Sequence, residues 1–365
     1  METVTTDLVC EVKGQVGFIT LNRPRALNAL TLDMVRGLMA TLLAWRDNAQ
    51  VQAVAVRGSN KEGVFGAFCA GGDIRFLHQG GSTGDPRVED FFTEEYALNH
   101  LIHTYPKPYV AFMDGIVMGG GMGISQGASH RLVTERTKMA MPETAIGLFP
   151  DVGGGYFLSR CPGHTGEWLA LTGDAIGAPE AVALGLADTQ IELAALDDIW
   201  HALAVAHAPD AAAIEALIAT KKIAFSAYPI SARGLIDQYF SLHSVRDIVN
   251  ALEASNGDWE ARTAATLRKR SPLMLHVVLE QIRRARNMSL AEDLRMERDM
   301  VRHCFHLRPG QSETLEGIRA LAVDKDHTPK WSPARIEDVR PDMVAAFFAS
   351  PWPAHAHPLA GLACA

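Results

Sequence analysis

Two carboxylates, Glu143 and Asp151, stand eight residues apart in the stretch MAMPETAIGLFPDVGGGYF from Met139 to Phe157, on either side of an Ile-Gly-Leu-Phe-Pro run. The run is too apolar for an ordinary solvated loop. A carboxylate beside apolar side chains has its charged form disfavoured and its pKa raised, which turns an acid into a usable base or proton donor near neutral pH. Gly153, Gly154 and Gly155 follow, and glycines let the backbone come close to whatever the carboxylates face. The same residues also fit a buried turn with one capping glutamate and an Asx-type turn at Asp151. On residue types alone both readings stay open.

Two other stretches have chemical potential. Phe68-Cys69-Ala70-Gly71-Gly72-Asp73 reads as a glycine turn opening a helix, and Met118-Gly119-Gly120-Gly121-Met122-Gly123 as glycines between a strand and a helix. N–H groups at such helix starts lack an intrahelical partner and can point at an anion, so the two turns could converge as an oxyanion hole. Each could equally serve packing. Neither is a phosphate loop, since no Gly-Lys-Ser/Thr follows, and Gly121-Met122-Gly123 lacks the third glycine of a dinucleotide fingerprint. Gly123-Ile124-Ser125-Gln126-Gly127 spells a nucleophile elbow, but three glycines precede it and the apolar pattern is already helical, so Ser125 is expected inside a helix. His130, His303 and His306 show no triad or metal spacing, and no metal site is expected.

The elements that must position these residues follow from periodicity. Leu8 to Val12 and Gly17 to Leu21 form a hairpin around Lys13-Gly14-Gln15. Thr31 caps a helix from Leu32 to about Arg46, with Met34, Val35, Leu38, Leu42 and Leu43 as its apolar stripe. Val51 to Val56 alternates as a strand. A short helix after Gly71-Gly72 gives way to a polar, mobile-looking loop from Gln79 to Arg87. Phe91 to His103 is helical, Tyr109 to Met113 a strand, Gly121 to Gln126 a helix start and Arg131 to Thr134 a strand. Strands alternating with helices define an α/β core, residues 1–194. Residues 195–365 are expected to form a mostly helical region, with almost no strand pattern from Ala194 to about Val323. Amphipathic helices are expected there at Asp197 to His207, Ala211 to Thr220, Ser231 to Phe240, Asp258 to Arg270, Pro272 to Arg286 and Leu290 to His303. The runs Arg268-Lys269-Arg270 and Arg283-Arg284 read as solvated helix faces, and Ser350 to Ala365, rich in Pro and Ala, as a loosely held tail.

With 365 residues, 48% hydrophobic and 21% charged, the chain has an ordinary globular balance and can bury a sizeable core. A net charge of -8 argues against a nonspecific nucleic-acid binder, which needs a basic face. The five cysteines are scattered without a CxxC pair, so neither a disulfide framework nor a zinc site is suggested and reduced thiols are expected. The N-terminal METVTTDLVCEVKG has neither a basic segment leading into an apolar one nor an Arg-rich amphipathic pattern. The most apolar segment, Tyr109 to Ala128, holds Asp114 and many glycines, unlike a membrane span. The expectation is a soluble, cytoplasmic protein without nucleic-acid or membrane partners, and self-association into a homo-oligomer stays open.

Leu21-Asn22-Arg23-Pro24, Leu27-Asn28-Ala29-Leu30, FCAGGDI, MGGGMG and the Met139 to Phe157 stretch, in this order, resemble the crotonase (enoyl-CoA hydratase/isomerase) superfamily, and within it the 3-hydroxyisobutyryl-CoA hydrolase family. Leu321-Ala322-Val323-Asp324-Lys325-Asp326 and Pro329-Lys330-Trp331-Ser332-Pro333 resemble the C-terminal segment of those hydrolases. The resemblance implies a spiral of strand-strand-helix turns that binds an acyl-CoA. It implies that the N–H groups of Gly72 and Gly120 hold the thioester oxygen, each such donor being worth roughly 3 to 4 kcal/mol. Glu143 falls at a hydratase catalytic position, while the other hydratase glutamate is replaced by Gly123. Asp151 stands where hydratases have glycine and hydrolases an aspartate that works with the glutamate. Glu95 matches a position near the acyl group that orients a 3-hydroxyl. Residues Arg25 to Leu30, with Asn28 and Ala29, and Ala70 and Asp73 match positions that contact CoA mainly through backbone. The implied activity is hydrolysis of a short branched 3-hydroxyacyl-CoA in valine breakdown, with no cofactor, CoA being part of the substrate. Alternatives are an enoyl-CoA hydratase or isomerase and a non-catalytic CoA-binding scaffold of the same fold.

Overall fold

The computed structural model describes residues 6–223 and 232–363. In chain order, strand β1 (Leu8–Lys13) turns into β2 (Val16–Leu21), then α1 (Leu32–Arg46), β3 (Ala53–Gly58), α2 (Ile74–Thr83), α3 (Arg87–His103), β4 (Tyr109–Met113), β5 (Ile116–Met118), α4 (Gly120–Gln126), β6 (His130–Val133) and β7 (Lys138–Ala140). Short helices α5 (Gly154–Leu158), α6 (Thr165–Thr172) and α7 (Ala178–Ala183) lead to β8 (Thr189–Gln190). Beyond it the described residues are helical or irregular: α8 (Leu196–Val205), α9 (Ala211–Ala219), α10 (Arg233–Phe240), α11 (Val245–Glu253), α12 (Asp258–Lys269), α13 (Pro272–Ala285), α14 (Leu290–His306), α15 (Glu313–Ile318) and α16 (Pro341–Ala345).

A strand-strand-helix rhythm runs through the first half. After β3, Cys69 forms a single bridge to Val117 of β5 and Gly72 one to Leu30, before α2 begins. After β4 the second strand is β5 and the helix α4. This is the spiral that the resemblance implies.

The chain divides into two compact units, each built from separated segments. One comprises Met1–Gly72, Ala97–Met139 and Ala175–Pro229; the other Asp73–Tyr96, Ala140–Asp174 and Ile230–Ala365. These units do not follow the linear division at residue 194.

The first unit holds a six-stranded sheet in the order β1-β2-β3-β4-β6-β8. Only β1 against β2 is antiparallel; Phe18 of β2 lies beside Ala55 of β3, and Val56 of β3 beside Ala111 of β4, in parallel register. Parallel strands buried on both faces read as continuous apolar runs, as in Ala53-Val54-Ala55-Val56. One face carries Phe18, Ala55, Phe65, Phe112 and Leu132 and is covered by Ile199, Trp200 and Leu203 of α8 and Ile214 and Ile218 of α9. The indole of Trp200 packs 4.7 Å from the ring of Phe18, and the Arg57 guanidinium caps it at 4.0 Å. The two helices that open the C-terminal region thus bury their stripes on this sheet. Thr31 caps α1 as expected, accepting the Met34 N–H at 3.2 Å.

In the second unit α13 packs on α5 and α6, α14 on α5, and α15 on α2. Two expectations are corrected here, one is refined and one helix is added. Residues 79–87 are mostly helical, because Gly80 and Gly81 lie inside α2, where Val88 packs closely on Gly80 and Phe305 and Leu315 on Gly81. The Arg runs are largely solvated as expected, with Arg268, Lys269 and Arg284 exposed, but they are also paired: Arg268 with Glu253 at 2.7 Å and Glu337 at 2.6 Å, while Arg270 donates to the Thr172 carbonyl at 2.8 Å and Arg283 to the Leu242 and His243 carbonyls at 2.5 Å. Helix α11, absent from the sequence reading, buries Val245, Ile248, Val249 and Leu252. The described part of the tail, residues 350–363, is docked on α14: Ser350 donates to Asp299 at 2.8 Å, Trp352 stacks on Arg298 at 4.9 Å and Leu359 is buried. Ser231 and Cys364, the latter among the cysteines counted above, lie outside the described residues.

Candidate active site

The glycine turns lie in the first unit. The Phe68 and Cys69 N–H groups both donate to the Ile116 carbonyl at 3.0 Å, and the Met118 N–H returns to the Cys69 carbonyl at 2.9 Å. This zipper brings the Gly71-Gly72 turn against the start of α4. A Cβ placed on Gly71 (φ 108°) would lie 3.5 Å from the Met118 carbonyl oxygen and 3.6 Å from the Gly120 nitrogen. Gly119 takes φ 48° and ψ -122°, which turns the chain from β5 into α4. The N–H of Gly120, at the first position of a helix, has no intrahelical acceptor. Among the described residues, neither it nor the Gly72 N–H donates to a backbone oxygen outside its own helix. Both N–H groups thus lack a backbone acceptor among the described residues. Ser125 is buried within α4 and donates to the Gly121 carbonyl at 2.8 Å, as a packed serine rather than a nucleophile.

The loop around Arg25 to Leu30 belongs to the same unit. Asn28 (φ 56°) is fully buried; its Nδ2 donates to the carbonyls of Ser59 at 2.8 Å and Ala67 at 2.9 Å, and its Oδ1 accepts the Arg23 N–H at 2.9 Å. Ala70 donates its N–H to the Leu27 carbonyl at 3.0 Å, and Ala29 donates its own to Ala26 at 3.0 Å. Asp73 caps α2, accepting the N–H groups of Arg75 at 3.2 Å and Phe76 at 3.3 Å. The Asn28 side chain is thus engaged internally and the Asp73 carboxylate serves as a cap.

The carboxylates come together in the second unit. Glu95 on α3, Glu143 and Asp151 are 2%, 6% and 6% exposed, all three buried, and none has an ion-pair partner among the described residues. Glu143 opens a tight turn, Glu143–Ile146, closed by Gly147 at φ 66°. The turn is clamped from several sides. Thr144 donates to the Leu171 carbonyl at 3.1 Å, Thr314 to the Gly147 carbonyl at 2.7 Å and the Ser271 N–H to the Thr144 carbonyl at 3.2 Å. Helix α15 lies on it so closely that a Cβ on Gly317 would sit 2.3 Å from the Ile146 backbone. Against this rigid frame Glu143 Oε2 is buried with no hydrogen-bond partner, as is Glu95 Oε1. Buried polar atoms are nearly always paired, and in this cluster one carboxyl oxygen of Glu143 and one of Glu95 are not.

Electrostatics follow from this burial. Desolvation, then the charge of Asp151, pushes Glu143 well above the usual carboxylate range. Desolvation, then Asp151 and Glu143, does the same to Glu95. Asp151 rises to about 6, because desolvation outweighs the hydrogen bond from the Tyr96 hydroxyl, which donates to Asp151 Oδ2 at 2.8 Å. Burial and the charge of Asp151 push the Tyr96 phenol well above its usual value, so it stays protonated and keeps donating. Carboxyls whose pKa values are raised and coupled can exchange protons near neutral pH.

Tyr96, Gln281, Asp293 and Glu297 escaped sequence reasoning, and a signal for two of them existed. Glu297 occupies the stripe Leu290, Leu294, Glu297, Val301, Cys304 at alternating spacings of four and three, and Gln281 the stripe Met274, Val278, Gln281, Ala285. A polar residue at an apolar-stripe position is buried with a task, or the helix is misread. A cleft of about 640 Å³ in the same unit, lined by His243, Arg246, His276, Arg283, Arg284 and Arg340 among others, contains none of the candidate residues.

Residues 16–348 match the enoyl-CoA hydratase/isomerase family model. The chain is 38% identical over 351 residues to "3-hydroxyisobutyryl-CoA hydrolase, mitochondrial" of Danio rerio, covering 94% of this chain and 90% of that protein. It is 37% identical over 356 residues to "Probable 3-hydroxyisobutyryl-CoA hydrolase 3" of Arabidopsis thaliana, covering 94% and 91%. Among solved structures, a carnitinyl-CoA dehydratase from Mycobacterium thermoresistibile superposes with a TM-score of 0.87 at 38% identity, over 96% of this chain and 98% of that one. An enoyl-CoA hydratase from Rhodobacter sphaeroides 2.4.1 gives 0.85 at 37%, over 95% and 98%. The Danio rerio relative is named mitochondrial, so the expected cytoplasmic location gains no support. No described helix is long and apolar enough to cross a membrane. The order of the glycine turns and carboxylates, the spiral that carries them and the match over nearly the whole chain make this protein a member of the enoyl-CoA hydratase/isomerase family.

Proposed function

We propose that this chain hydrolyses a short branched 3-hydroxyacyl-CoA thioester, 3-hydroxyisobutyryl-CoA, to 3-hydroxyisobutyrate and CoA, a step of valine breakdown. The two relatives reported above bear that activity in their names. The observation that carries the reading is the cluster of Glu95, Glu143 and Asp151, buried without a countercharge among the described residues and with carboxyl oxygens on Glu143 and Glu95 left unpaired there. The hydratase reading, which the names of the two solved structures favour, needs a second glutamate where this chain has Gly123, buried in α4.

Glu143 is the reacting carboxylate. Its oxygen attacks the thioester carbon to give a mixed anhydride that water then opens, or it takes a proton from the attacking water. On both routes the C–S bond breaks, CoA leaves as a thiolate that needs little protonation, and a transient oxyanion forms for the Gly72 and Gly120 N–H groups to stabilise. Water is the sole co-reactant, so the reaction calls for no metal or redox cofactor. Asp151, with one oxygen engaged by Tyr96, receives the substrate 3-hydroxyl, and Glu95 orients the same group.

The test compares kcat/KM for 3-hydroxyisobutyryl-CoA and isobutyryl-CoA in the wild type and in Asp151→Asn. A site built around a hydroxyl hydrogen bond discriminates strongly against its absence, so the variant's preference for the hydroxylated ester is expected to fall at least about tenfold. An unchanged preference with both rates equally depressed contradicts hydroxyl recognition and assigns Asp151 to proton transfer with Glu143.

A further inference from the structure

The loop that carries Asp151 is held by side chains to which the proposed chemistry gives no part. Val152 follows the carboxylate at φ 57° and Gly153 at φ 87°. Two consecutive left-handed residues, the first of them β-branched, persist only where the surroundings impose that path. Three side chains surround it. Upstream, Gln281 of α13 donates through Nε2 to the Pro150 carbonyl at 2.7 Å. Downstream, Glu297 of α14 accepts the Gly153 N–H at Oε2, 2.8 Å, and the Gly155 N–H at Oε1, 2.9 Å. Asp293, one turn earlier on α14, accepts the Tyr156 N–H at 2.8 Å. Gln281 also donates to Glu297 Oε1 at 3.2 Å, which ties the set together.

All three side chains are fully buried. Two carboxyls buried on one helix face are a costly way to pack α14 against α5, since apolar residues of similar size generally serve stability as well or better. What they supply is a row of acceptors for the Gly153, Gly155 and Tyr156 N–H groups at the start of α5, where helix geometry offers no intrahelical acceptor. The fit is close: a Cβ on Gly155 would come within 2.4 Å of Asp293 Oδ1. Tyr96 grips the Asp151 carboxylate itself, while these groups grip the backbone on both sides of it.

We propose that Glu297, with Gln281 and Asp293, is the positioning residue for Asp151, fixing the left-handed Val152-Gly153 turn from which the carboxylate projects. The proposal rests on the functional reading above. Glu297→Gln keeps the volume but replaces one acceptor by an NH2 group facing backbone or side-chain donors. A misplacement near 1 Å can cost about 100-fold in rate. The expected result for 3-hydroxyisobutyryl-CoA is a fall in kcat of about 10- to 100-fold with KM changed less than about threefold.

The decisive experiment is a double-mutant cycle between Glu297→Gln and Asp151→Asn, read as kcat and as thermal midpoint. If Glu297 acts through Asp151, its substitution costs less than about twofold in kcat once Asp151 is already Asn, whereas the shift in midpoint persists in both backgrounds. An equal loss of kcat in both backgrounds, or an unchanged kcat in Glu297→Gln, overturns the proposal. Should Glu297→Gln fail to fold, Gln281→Met removes the Pro150 contact at similar volume and carries the same cycle, with an expected loss of about 3- to 10-fold confined to the Asp151 background. Asp151→Asn with wild-type turnover would overturn the reading of the site together with this proposal. A slow Asp151→Asn with an independent Glu297 effect overturns the positioning role alone.

Discussion

Glu143→Gln is expected to lower turnover of 3-hydroxyisobutyryl-CoA by about 1000-fold or more while acyl-CoA binding stays within a few-fold of wild type. The substitution keeps the size of the side chain and its place in the clamped turn Glu143–Ile146. It removes the basicity and nucleophilicity that either route requires. The same variant has a second readout, in stability. Burial and Asp151 raise the folded Glu143 pKa above its ordinary 4.5, so the folded chain holds this proton more tightly than the unfolded chain. The resulting contribution to stability is fully present below the unfolded value and is lost as pH rises through the folded one. Glutamine does not titrate. The thermal midpoint of Glu143→Gln relative to wild type should therefore climb as pH rises from the ordinary value of 4.5 toward the raised folded one, and a difference that stays constant as pH rises above 4.5 would contradict the raised pKa. Active sites commonly trade stability for function in this way.

Gly120→Pro carries the other large effect. Proline fits the first position of a helix, where its missing N–H is not needed for the helix, so α4 should persist. The variant loses the backbone N–H that the proposed oxyanion site takes from this position. Loss of a single oxyanion donor costs about 100- to 1000-fold in kcat, so a folded Gly120→Pro, checked by circular dichroism, should turn over at no more than about 1% of the wild-type rate. Near-normal turnover in a folded variant would remove Gly120 from the oxyanion site.

How far the sequence could be read differs between the two units. The sheet of the first unit was legible because alternation and apolar runs such as Val54 to Val56 are local signals, and the Thr31 cap marks α1 without help from distant residues. The carboxylates were legible as a motif, and their apolar setting announced raised pKa values. The gaps share one physical cause. Gly80 and Gly81 look like helix breakers, and only Phe305 and Leu315, more than two hundred residues away, show that glycine is there for close packing. The tail looks unstructured until Arg298 and Asp299 on α14 supply partners for Trp352 and Ser350. Tyr96, one residue past Glu95, is an ordinary aromatic of an amphipathic helix until Asp151 is folded against it. Each of these depends on contacts between residues far apart in the chain, which local propensity does not encode. Even so, Glu297 and Gln281 sat at apolar-stripe positions, a conflict between pattern and chemistry of the kind that marks functional sites.

The central claim is that this chain breaks a thioester rather than hydrating a double bond, and one measurement addresses it directly. Purified protein is mixed separately with 3-hydroxyisobutyryl-CoA and with the corresponding 2-enoyl-CoA, and free thiol and enoyl absorbance are followed together. The account predicts rapid, catalytic release of CoA from the hydroxylated ester, with the enoyl chromophore consumed at least about a hundredfold more slowly, in keeping with a pair of glutamates reduced to one. Rapid hydration of the enoyl ester without thiol release from either substrate would contradict it.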